Sequence, residues 1–171
     1  MKRMFFCLLI LSLFISCASL SITGKDVTVS TLYGDTFSGI ELVGFSSMAG
    51  SNSIKLAKTN TGQFVIYANV LTYRNDTVGS LILFADGERF NIIDYPQNWN
   101  ISNVRIQSGA APRVNEWNGH NFVSENVINS ILNANTLRLR VVNGSLGLDY
   151  SDLDDVDLTG ILPKIKTFLG S

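Results

Sequence analysis

Residues 77–94, TVGSLILFADGERFNIID, place two apolar, β-branched and aromatic runs on either side of Asp86-Gly87. A two-residue hairpin loop needs positive φ at both central positions, which Asp-Gly supplies at low cost, and its twist then matches that of the flanking strands. The stretch reads as an antiparallel hairpin. Similar punctuation recurs along the chain. SIKLAK (53–58) and QFVIYANVLTYR (63–74) flank Thr59-Asn60-Thr61-Gly62, and LRLRVV (137–142) and SLGLDY (145–150) flank Asn143-Gly144. A fourth pair, PRVNEW (112–117) and HNFVS (120–124), surrounds Asn118-Gly119. Consecutive hairpins of this kind build an antiparallel sheet.

Within the runs, side-chain alternation tells one face from the other. Leu137, Leu139 and Val141 share one side of their strand and Arg138 and Arg140 the other, so one face is expected buried and one wet. The run 63–74 is more uniformly apolar and reads as a central strand. Two stretches follow helical spacing instead. Val123, Val127, Ile128, Ile131 and Leu132 form one stripe, with Ser124 placed as N-cap. Leu158, Ile161, Leu162, Ile165, Phe168 and Leu169 form another, whose helix must begin near Pro163, because proline fits only a first turn, and end at Gly170. The expected fold class is mainly β (α+β): an antiparallel, hairpin-rich sheet or sandwich with two short helices packed on it.

At 171 residues, 46% of them hydrophobic, the chain suits one domain with a real core. Charged residues make up 16%, below the roughly 25% of average soluble chains, but the apolar content argues against disorder. The N-terminus has its own logic. Lys2 and Arg3 precede an apolar run from Met4 to Ile15, and small residues, Ser16, Ala18 and Ser19, follow it. This is the three-part pattern of a secretion signal, and the run is shorter than the ~20 residues a spanning helix needs. Signal peptidase could read Ser16 and Ala18 as its small pair and cut before Ser19. Alternatively, Leu13-Phe14-Ile15-Ser16-Cys17 resembles the lipobox of bacterial lipoproteins, with Phe14 where that motif usually carries Leu. The resemblance implies a diacylglycerol on the Cys17 thiol, cleavage before Cys17, and a membrane-anchored protein of the bacterial cell envelope; the other cut leaves a secreted, soluble one. The expected organisation is a signal peptide over 1–16, a short tether over 17–26, and one β-rich domain over 27–171.

Removing residues 1–16 takes Lys2 and Arg3 and leaves 11 basic residues against 14 acidic ones, a net charge of −3. That balance offers no general attraction to nucleic acid. The two cysteines, Cys7 and Cys17, both lie in or at the end of the apolar run, so the mature chain has no pair for a disulfide and no cysteine cluster for zinc. The carboxylates Asp149, Asp152, Asp154, Asp155 and Asp157 invite a calcium reading. Counted from Asp152, however, Val156 and Asp157 occupy positions where an EF-hand loop needs an oxygen ligand and a glycine. Asp155 and Asp157 instead suit the positive end of the terminal helix, with Lys164 and Lys166 further along it. No metal and no cofactor is expected.

His120 is the single histidine, and no G-x-S-x-G elbow accompanies it. Glu116 and Glu125 could form a glycosidase pair on paper, but nothing in their spacing singles them out. The more telling group is aromatic. DYPQNWN (94–100) and NEWNGHN (115–121) place Tyr95, Trp99, Trp117 and His120 in or beside expected Asn-rich loops. Tyr and Trp among adaptable amides are typical of recognition surfaces, whereas tryptophans folded inward would merely close the sheet. The expected function is a non-catalytic binding or structural module facing an envelope protein or a carbohydrate. The alternatives are an envelope hydrolase and an assembly or inhibitor module that docks a partner along a strand edge.

Overall fold

The computed structural model describes residues 19–30, 35–47, 50–73, 78–104, 114–142 and 155–171. In chain order the elements are β1 (Ser19–Ser21), β2 (Lys25–Ser30), β3 (Thr36–Ser47), β4 (Gly50–Lys58), β5 (Phe64–Tyr73), β6 (Ser80–Ala85), β7 (Glu88–Ile93), β8 (Trp99–Val104) and β9 (Val114–Phe122). Helix α1 (Glu125–Asn133), β10 (Leu137–Val142), β11 (Asp155–Asp157), a 3-10 turn (Thr159–Ile161) and helix α2 (Leu162–Leu169) complete it. The strands form two antiparallel sheets. The larger has the order β1-β3-β4-β5-β9-β8, with β2 also paired to β3. β1 and β2 thus share one edge of the sheet, pairing along successive stretches of β3. The smaller sheet has the order β11-β10-β6-β7.

The expected fold class is the observed one. Asp86 and Gly87 turn β6 into β7 with φ of 47° and 89°, the left-handed values that a two-residue loop demands. Gly62, at φ 81°, closes the β4–β5 turn, where the Thr59 amide donates to the Gln63 carbonyl at 2.8 Å. β5 is central, between β4 and β9, in keeping with its uniformly apolar sequence. Leu137, Leu139 and Val141 of β10 are buried while Arg138 is exposed.

The helices follow their sequence signals. The Ser124 side chain accepts from the Val127 amide at the start of α1. α2 carries Pro163 in its first turn, and the Gly170 amide closes it on the Lys166 carbonyl. Both pack on the sheets. One buried apolar cluster draws Ile54, Leu56 and Ile66 from the larger sheet, Leu81, Leu83 and Leu139 from the smaller, Val127 and Ile131 from α1, and Leu162 and Ile165 from α2. Burial of this apolar surface is the dominant stabilising contribution, at roughly 25 cal/mol per Å² removed from water.

Three expectations are corrected. Asn118-Gly119 is not a turn: both residues lie inside β9, which runs unbroken from Val114 to Phe122. Gly119 is required there by packing, since a Cβ on it would lie 2.7 Å from Trp99 Cε3 and Cζ3 of the neighbouring strand. Residues 19–21 and 25–26 are not a free tether but edge strand, and the Ser21 hydroxyl donates to the Gly44 carbonyl at 3.0 Å. Asp155 does not serve the dipole of α2. It sits in β11 opposite Arg140, and its Oδ2 meets Arg140 Nη2 at 2.7 Å and Arg138 Nη1 at 3.1 Å. Asp157 accepts from the Thr159 amide at 2.9 Å, at the 3-10 turn that precedes α2. The Asn143-Gly144 turn, Asp149, Asp152, Asp154, Cys17 and the whole signal segment lie outside the described residues.

Candidate functional site

The four aromatic residues singled out by sequence part company in the fold. Trp99 opens β8 opposite Gly119, and Trp117 sits in β9 opposite Ile101. Alternation along β9 puts Trp117 and Gly119 on the inner face, and both tryptophans belong to the buried core, 8% and 9% exposed. They stand in strands rather than loops. Tyr95 alone occupies a turn, at the rim, its ring 6.2 Å from that of Trp117. Opposite Trp117, Ile101 of β8 is 53% exposed. Trp99 Nε1 is buried without a hydrogen-bond partner among the described residues.

His120 goes to the opposite side. It faces out from β9 directly across from Tyr67 of β5, and the two rings stack with centroids 6.0 Å apart and 21° between planes. The register that joins them also sets Asn69 across from Asn118 and Leu71 across from Glu116. Asn69 Nδ2 donates to Asn118 Oδ1 at 2.7 Å and to Glu116 Oε1 at 2.8 Å. On this outer face an aromatic pair therefore adjoins a hydrogen-bonded row of two amides and a carboxylate. Lys55 of β4 pairs with Tyr67 on its other side. The Tyr67 phenol is held above its ordinary pKa, first by partial burial and second by the Asp35 carboxylate, so it remains a neutral hydroxyl at physiological pH.

Side chains that hydrogen-bond one another across strands are held in defined rotamers, so a ligand meets groups with little left to order. The row offers mixed donors and acceptors without a concentration of positive charge, and the ring stack offers an apolar plate. Such a surface suits a neutral, hydroxyl-bearing ligand. Among the described residues no group of three His, Cys, Asp or Glu comes close enough to hold a metal ion. Glu125 lies at the start of α1, apart from Glu116 in β9, so the paper glycosidase pair belongs to two separate elements.

A concavity of about 300 Å³ lies between the β6–β7 turn and α1, lined by Asp86, Glu88, Asn129, Ser130 and Asn133 among others. Its carboxylates already have partners. Asp86 accepts from the Asn135 amide at 2.9 Å and the Thr136 amide at 2.7 Å, and Glu88 accepts from the Ser130 hydroxyl at 3.1 Å. Those bonds hold the Asp86 carboxyl below its usual pKa, the two backbone amides being the main cause. This cleft is part of the scaffold that ties the hairpin to β10.

Tyr67, Asn69 and Asn118 had no place among the sequence candidates. Alternation within 63–74 already puts Tyr67 and Asn69 on one face, but only the β5–β9 register brings them to His120 and Asn118. Comparison with family models, with characterised proteins and with solved structures returns no match to this chain.

Proposed function

We propose that this chain is an exported protein of a bacterial envelope, anchored by acyl chains on Cys17, and that it is a non-catalytic module binding carbohydrate on the outer face of β5 and β9. The observation that carries the binding reading is the Tyr67–His120 stack beside the bonded row of Asn69, Asn118 and Glu116. Export and anchoring rest on the basic start, apolar run and Cys17 of residues 1–17. The binding test is a panel of envelope polysaccharides presented to the wild type and to Tyr67→Ala and Asn69→Ala. Loss of the aromatic plate or the amide should weaken retention about tenfold, the scale of one well-placed contact, while melting stays near that of the wild type. No retention of any glycan by the wild type, or undiminished retention by both variants, rejects the carbohydrate reading. Anchoring is tested by labelled fatty acid, which should follow the wild type and be lost in Cys17→Ser.

One observation favours a second reading, docking of an envelope protein by strand addition. β8 ends the larger sheet among the described residues, carries the exposed Ile101, and is preceded by the exposed Tyr95. A proline at Ile101 would block that partner and leave glycan retention intact, which separates the two.

A further inference from the structure

We infer that the acylated protein has no leash: the domain stands end-on against the bilayer that holds its own lipid, with the β3–β4 end of the larger sheet at the headgroups and the Tyr67–His120 face raised above them. This rests on the anchored reading of Cys17 and goes beyond it to the surface that meets the membrane. The argument is one of covalent reach. Ser19 is already paired, opposite Ser46 of β3, and β1 continues through Leu20 and Ser21 opposite Phe45 and Gly44. Gly24, at φ +53°, lets the chain step on into β2, which pairs along β3 as far as Thr36. Only Ala18 then separates the paired Ser19 from an acylated Cys17, and the two residue steps span at most ~7 Å. A flexible leash of ten residues would give about 17 Å of root-mean-square reach instead.

The direction of β1 decides which end faces the lipid. Pairing runs from Ser21–Gly44 to Ser19–Ser46, so β1 read back from Ser21 to Ser19 points to the end where Ser47 pairs with Gly50. β3 extends from there to Thr36, roughly 35 Å at 3.3 Å per residue. The turn at Thr59–Gln63 follows Lys58, which pairs with Ser38 near that distant end. Glu41, Lys55, Tyr67 and His120 share one cross-strand row. Five residue steps lead from Glu41 to Ser46, so that row stands about 17 Å above the Ser19 level. The proposed binding face is thereby held sideways in the aqueous layer next to the membrane, where a glycan can reach it without the domain swinging.

The test uses the acylated full chain, whose lipid occupies Cys17, so an introduced cysteine is a unique label site. A fluorophore is placed at Ser46→Cys, at Ser21→Cys or at Asn60→Cys, and each protein is reconstituted in phosphatidylcholine vesicles doped with a headgroup nitroxide quencher. The expected result is several-fold stronger quenching at 46 and 21 than at 60. Ten Gly/Ser residues inserted after Ala18 should erase most of that difference. Two near-end sites guard against one labelled variant failing to fold, and unchanged melting qualifies each. Equal quenching at all three sites, or an insertion without effect, overturns the end-on seating while fatty-acid label on the chain leaves the anchored reading standing. Absence of that label overturns both.

Discussion

Gly119→Ala asks why a glycine stands inside β9. Its backbone is extended strand, paired to β5 on one side and β8 on the other, so no left-handed turn requires it. The added methyl would lie 2.7 Å from Trp99 Cε3 and Cζ3 and 2.9 Å from Cδ2, well inside ordinary contact. Trp99 is 8% exposed, packed in the common core, and cannot simply swing into water. Overpacking of this kind costs about 1–3 kcal/mol. For a domain of this size that lowers Tm by about 2–12 °C. The assay is a double-mutant cycle by urea denaturation. Trp99→Ala alone should cost about 3–5 kcal/mol, as removal of a large core aromatic does. In that background Gly119→Ala should cost nothing, or stabilise by about 0.5–1 kcal/mol because alanine loses less backbone freedom than glycine on folding. The reasoning fails if Gly119→Ala carries the same penalty with and without the Trp99 ring, since the glycine would then be serving the backbone rather than the indole.

Stability should also report the carboxylates at the two turns. Asp86 and Asp157 are both held below their ordinary pKa, mainly by bonds from Thr136 and Asn135 in the first case and Thr159 in the second. Groups depressed in the folded state bind protons more readily when unfolded. Their contribution is therefore complete above the unfolded value of about 3.9 and is lost as pH falls through the lower folded values. The urea midpoint should hold from pH 7 to about 5, fall below about pH 4, and fall less steeply in Asp86→Asn; an unaltered acid slope in that variant would contradict the assignment. In the smaller sheet, Leu139→Ala and Asp155→Asn should differ sharply. Leu139 is 1% exposed between Leu83 and Val156, so its truncation should cost about 2–5 kcal/mol in chemical denaturation. Asp155 meets Arg138 and Arg140 in the open, and its loss should change stability by about 1 kcal/mol or less.

How much was legible in advance depended on how local each signal was. The Asp86-Gly87 hairpin could be read from two residues, because few pairs tolerate positive φ twice and both flanks were strand-like. The same grammar misled at Asn118-Gly119, where the dipeptide is identical in kind but the glycine answers to an indole approaching from β8. Both helices were legible from Ser124, Pro163 and Gly170, since caps and proline act on their own backbone neighbours. The N-terminal residues 19–26 looked like a tether because they are small and polar. An edge strand facing water tolerates that composition, and its pairing with β3 leaves no local trace.

The candidate site shows the same division more sharply. Sequence by itself determined that Tyr67 and Asn69 share one face of their strand and that the chain is a hairpin-rich β protein with two helices, because alternation and turn chemistry are local; that Asn118 and His120 share a face of one unbroken strand came from the fold. Only the tertiary structure decided that β5 and β9 lie side by side in the register that stacks Tyr67 on His120 and bonds Asn69 to Asn118 and Glu116. It also decided that Trp99 and Trp117 turn away from that face into the core. The physical reason is that a period of two says which residues along a strand point together but carries nothing about the neighbouring strand. A shift of one residue in the pairing would exchange the two faces, and the burial of the whole core selects the register.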